Sequence, residues 1–210
     1  AGDVSVRNGH GPTKVGSVAG TLRTRQSHGN LTVESVESDA TIDVRHGRLE
    51  MGDAGADVTL RNSHGDARIA SIGKDINTFS EHGNLTLGTV NGSVEGRLRH
   101  SKIQLNESVS GNVVLDASHG SLRGTEIGGD VLVTMRHGSI DAERVGGRFD
   151  LNGSHTPVSV RHIGKDAAII THHAHVALEK VSGDAMVESS HGSIKLHNVV
   201  GKVEVTGARG

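Results

Sequence analysis

"DVTLRNSHGDARIASIGKD", residues 57–75, holds one full period of a repeat that fills the chain. Val58 and Leu60 alternate with polar residues. His64-Gly65 follows, then a second alternation at Ala67 and Ile69, one more apolar residue at Ile72, and a return to Asp at 75. Alternation over a few residues marks a half-buried strand, and no apolar set recurs at helical spacing. Working outward from His64, the same residue recurs as His10, His28, His46, His82, His100, His119, His137, His155, His173 and His191. Nine of the ten intervals are 18 residues and the one from His100 to His119 is 19, with the extra residue falling in "NESVSG" ahead of Val109.

With the histidine as position 1, positions 4, 6, 9, 13 and 15 are apolar in almost every unit. Position 9 runs Val18, Val36, Ala54, Ile72, Val90, Val109, Ile127, Val145, Ile163, Val181, Val199. The exceptions are Thr13 and Gly124 in the first half and Thr24, Thr78 and Gly96 in the second. Each unit divides into two similar halves of nine, each a short strand followed by a corner. The pattern predicts an all-β fold: a parallel β-solenoid of 18 residues per coil, about 11–12 coils and two main sheets. Equivalent residues would stack about 4.8 Å apart, giving a rod on the order of 55 Å long. The repeat covers residues 1–210 as one domain, with no linker and no visible cap. Other repeats of related period fit less well. A hexapeptide helix needs an apolar position 3, which here holds Asn30, Arg48, Asp66 and Asn84, and a calcium β-roll needs Gly-Gly-x-Gly-x-Asp turns.

Composition points the same way. Phe79 and Phe149 are the only aromatics, and there is no Tyr, Trp or Cys, so the core must be built from aliphatic side chains in many small layers. Thirty glycines against two prolines suit many turns between strands. A net charge of −2 with mixed signs, and no aromatic-basic surface, argues against nucleic-acid binding. No apolar run approaches transmembrane length, so no membrane insertion is expected, and no leader segment is visible.

Strings such as "DVTLRNSHGDARIASIGKD" and "GDAMVESSHGSIKLHNVVGKVEV" (residues 183–205) resemble the bacterial adhesin-like β-solenoid domains, the family of unknown function numbered 4097. The resemblance spans the whole chain. It implies right-handed coiling, a location at the bacterial cell surface or outside the cell, and a non-enzymatic role.

In a solenoid the eleven histidines form a row along one edge. The expected role is structural, with each imidazole stacking on the next and bonding a backbone group of the corner. The glycine that usually follows suggests a corner with positive φ or close backbone approach. No cofactor is expected. The alternative reading is a histidine-rich module for divalent metal or pH sensing, and "THHAH" is its best candidate, with His172, His173, His175 and His197 as the ligand set for an adventitious divalent ion. On the opposite edge Asp39, Asp57, Asp75, Asp130, Asp166 and Asp184 recur at position 12 and read as Asx-type turn residues. Sequential Ser-His pairs such as Ser63-His64 diverge along a strand and make no catalytic constellation, so no enzyme is expected. The expected partners are copies of the rod added end to end, or neighbouring domains of a longer chain.

Overall fold

The structure is a computed structural model that describes residues 2–207. It is all-β, with twenty-one strands from β1 (Val4–His10) to β21 (Val203–Thr206) and no helix among the described residues. Every strand pairs in parallel with its equivalent one coil away. In the first half of the repeat, β4 (Leu31–Val36) pairs with β6 (Leu49–Ala54), placing Leu31 on Leu49, Val33 on Met51 and Val36 on Ala54. In the second half, β5 (Ala40–Arg45) pairs with β7 (Val58–Ser63), placing Ala40 on Val58 and Ile42 on Leu60. Two stacks of parallel strands result, and the chain passes from one to the other at each corner. They merge into one continuous sheet where β13 (Val113–Ile127) and β14 (Val131–Val145) run unbroken through the histidine corner.

The two stacks enclose a single apolar core along the rod. Positions 4, 6, 9, 13 and 15 supply it, and the alternating residues between them face outward. Position 17 is a sixth inward position that the apolar pattern does not reveal. Gln26, Asn62, Ser80, Thr171 and Ser189 are as fully buried there as Val44, Leu98, Ala117 and Met135. The available signal is that position 17 never carries a charge, whereas its neighbours at 16 and 18 often do.

The extra residue between His100 and His119 is absorbed in β12 (Lys102–Val109). Leu87 pairs with Leu105 and Val90 with Val109, so the register slips once between them and recovers. The bulge lies at Asn106 and Glu107 on the outward side, where Glu107 Oε2 accepts a hydrogen bond from Thr89 Oγ1 at 2.5 Å. Position 9 therefore stays in line, and Val90 is sealed between Ile72 and Val109 with 0% exposure.

Val90→Asp places a charge with no partner between three coils. It is expected to cost roughly 4 kcal/mol or more, or to prevent folding. Urea denaturation followed by far-ultraviolet circular dichroism measures the loss, and a change below about 1 kcal/mol would contradict the buried register.

Candidate functional site

The most distinctive surface is the histidine edge. All eleven side chains are exposed, and successive rings stack with centroids 4.8–5.1 Å apart and planes within 3–26° of parallel. These separations sit at the short end of the roughly 4.5–7 Å range found for favourable ring pairs. Among the described residues no hydrogen bond reaches a ring nitrogen of these eleven histidines, so the expected ring-to-backbone bonds are not formed. The rings point outward, away from the corner amides, which are already paired between coils: His64 N–H donates to Glu81 O at 2.9 Å and His46 N–H to Ser63 O at 2.9 Å.

The backbone explains why histidine suits this corner. From His46 to His191 the nine position-1 histidines have φ between 50° and 57°. The left-handed turn therefore falls on the histidine and not on the following glycine. Only in the first two coils do Gly11 and Gly29 take the positive φ, at 91° and 118°. Left-handed backbone costs an ordinary L-residue roughly 1–2 kcal/mol, and histidine is among the few non-glycine residues enriched there. The glycine serves a different need: a Cβ on Gly65 would collide with the carbonyl oxygen of Gly47 in the coil below.

Positions 17 and 2 share the space beneath the corner. In early coils a polar side chain at position 17 reaches a corner carbonyl: Gln26 Nε2 donates to Gly11 O at 2.6 Å and to His28 O at 3.0 Å, and Asn62 Nδ2 donates to Gly65 O at 2.5 Å. Later the volume is divided otherwise. A Cβ on Gly138 would lie 2.6 Å from Met135 Sδ, whereas beside Gly153 the space is taken by Thr156, whose hydroxyl donates to Ser154 O at 3.0 Å.

Opposite the histidines, the position-12 residues do not form local Asx turns. Each side-chain oxygen accepts the backbone N–H of its equivalent in the next coil. Ser93 N–H donates to Asp75 Oδ1 (2.7 Å), Asp130 N–H to Asn112 Oδ1 (2.8 Å), Arg148 N–H to Asp130 Oδ1 (2.8 Å) and Asp184 N–H to Asp166 Oδ1 (2.9 Å). The oxygen occupies space that a Cβ at position 11 would fill, as at Gly92, Gly147 and Gly183. Where position 11 is Ala56 or Lys74, the bonds lengthen to 3.2 and 3.1 Å. In the first coil the same bond, from Thr21 N–H to Asp3, holds the Asp3 carboxyl below its usual range.

The four residues expected as metal ligands are not brought together. His172 Nδ1 lies 2.9 Å from Ser190 Oγ, and His175 Nδ1 lies 2.7 Å from Ser193 Oγ. His173 is stacked between His155 and His191 at 4.9 and 4.8 Å. His197 lies on β20 (Ile194–Val199), paired with Glu179. Each polar contact runs along the stack, one coil to the next, and among the described residues no group of three or more His, Cys, Asp or Glu side chains is arranged to hold a metal ion. Comparison with family models, with curated proteins and with solved structures gave no match.

Two pairs of substitutions separate the roles of these rows. His64→Val should destabilise by about 1 kcal/mol or more beyond His64→Asn, because asparagine tolerates the left-handed corner and a β-branched residue does not. Equal losses by urea denaturation would show that ring stacking alone matters. Asp130→Ala should cost about 1 kcal/mol and Asp130→Asn almost nothing, since the amide oxygen still accepts the Arg148 N–H. A large Asp130→Asn effect would mean that the charge matters and not the bond.

Proposed function

We propose that the protein is a non-enzymatic, adhesin-like extracellular scaffold, a β-solenoid rod that presents long rows of identical side chains. The observation that carries this reading is repetition. The same imidazole environment recurs coil after coil at 4.8–5.1 Å along the histidine edge, whereas a catalytic centre needs unlike groups converging once. The resemblance of the His-Gly strings to bacterial surface domains supports placing the rod outside the cell.

The same repetition supports association along the rod axis. One residue column forms both faces of every coil, so the upper surface of one coil matches the lower surface of another. Among the described residues the outermost strands are β1 and β2 (Thr13–Val18) at one end and β20 and β21 at the other, and on β21 Val203 and Val205 are 48% and 49% exposed. A coil of a second copy, or of a neighbouring segment in a longer chain, would cover such apolar surface and pair its strand edge. Head-to-tail addition of this kind need not close and gives open fibres.

Electron microscopy of purified protein at neutral pH tests the filament form. Long unbranched fibres are the expected result. Monodisperse rods one chain long would remove the filament and leave a single displayed rod.

A further inference from the structure

Beside the histidine edge, midway along the rod, runs a groove of about 770 Å³. His82, His100 and His119 line it, with Asn84, Lys102 and Ser121 next to them. Its two acids are already engaged: Asp66 Oδ1 accepts a hydrogen bond from Asn84 Nδ2 at 2.9 Å, and Asp141 is 3.6 Å from the Arg123 guanidinium. Lys102 is exposed and has no ion pair among the described residues. With neutral imidazoles the charged side chains of the groove, Lys102, Arg123, Asp66 and Asp141, sum to zero, and Lys102 is the cation without an ion pair among the described residues. On the far side of the histidine row stand Glu81, Arg99 and Arg136, and the row continues through His64, stacked on His82, at one end and His137, stacked on His119, at the other. Imidazoles change charge between about pH 5 and 8. Protonation of His82, His100 and His119 would raise the groove from about zero net charge to about three positive, with the added cations in line at the coil spacing.

We propose that this groove binds an acidic polysaccharide lying parallel to the rod, one sugar residue per coil, and that binding strengthens in acid. The partner must repeat at the spacing of the rings, 4.8–5.0 Å between His82, His100, His119 and His137. An extended pyranose chain advances by a comparable step. A peptide strand advances about 3.3 Å per residue and duplex DNA about 3.4 Å per nucleotide of a strand, and neither stays in phase. The imidazole faces are already covered by one another in the stack, which leaves no open ring face for a nucleobase beside these three residues. The groove offers instead the Asn84 amide, the Ser121 hydroxyl and, along the same floor, the Gln104 amide and Ser139 hydroxyl, which suit sugar hydroxyls, beside cations for a carboxylate on each residue.

The inference rests on the scaffold reading, and its test is separate. Polygalacturonate is titrated onto the full chain at about pH 5 and about pH 7.5, with dextran, polyphosphate and oligothymidylate as comparators. Expected is binding at least roughly tenfold tighter at the lower pH, weakened severalfold by Lys102→Gln and by His100→Asn, and absent for dextran. Lys102 is exposed and asparagine accepts a left-handed corner, so both variants should fold, which circular dichroism checks. Three results would overturn the proposal: no binding of polygalacturonate at either pH, binding unchanged in both variants, or polyphosphate or oligothymidylate bound as tightly as polygalacturonate. None of these would disturb the scaffold reading, which fails instead if microscopy shows no rods.

Discussion

Parallel pairing of each residue with its equivalent one coil away is the constraint on which the rest of this structure depends. It fixes every side chain a little under 5 Å from its own counterpart, above and below. A column of such residues must therefore be something that can stand beside itself. Aliphatic side chains satisfy that inside. Outside, the chain mixes signs along a column: Arg25 meets Asp43 at 3.1 Å, Arg123 meets Asp141 at 3.6 Å and Arg144 meets Glu126 at 3.3 Å. Such exposed pairs stabilise little individually, but they avoid rows of like charge.

Two columns return repeatedly to one titratable type, and each has its own solution. The aspartate column places a backbone N–H between successive carboxylates, so each acid bonds to the next coil's amide. Its runs stay short: Asp39, Asp57 and Asp75 give way to Ser93 and Asn112, which accept equally well. The histidine column has no interruption. Imidazole can be neutral, flat and stacked, and it tolerates the left-handed backbone of the corner. An acid or a lysine fails at least one of those requirements, and glycine or asparagine would turn the corner without supplying an aromatic ring.

The coil length, the strand halves and five inward positions were legible because apolar residues mark them directly. Position 17 was not, because burial there is compatible with Gln26 and Asn62: their amides donate to corner carbonyls. Hydrophobicity alone cannot identify a buried residue whose polarity is used. The glycine that follows most of the histidines was legible as special, for positive φ or for close backbone approach, and from His46 onward the structure selects the close approach. The glycine yields to the carbonyl of the coil below while the histidine carries the turn, a distinction that sequence spacing does not contain. The aspartates were correctly assigned to an edge, yet their bonds run along the rod and not around the turn. The cluster in "THHAH" looked convergent because its residues are close in sequence, whereas contacts in this fold are made with residues 18 away.

The bulge at Asn106 and Glu107 separates two quantities that the regular repeat leaves confounded: the length of a coil and its closure. One added residue changes the contour of the coil, yet the corner at His119 lies over that at His100 with rings 4.8 Å apart. Closure is thus set by the corners and by the inward residues at either end of a strand, and the outward face between them is slack. The rod has a tolerance built into its walls and none at its edges, so new surface can be added in mid-strand without any change of phase reaching the coils beyond.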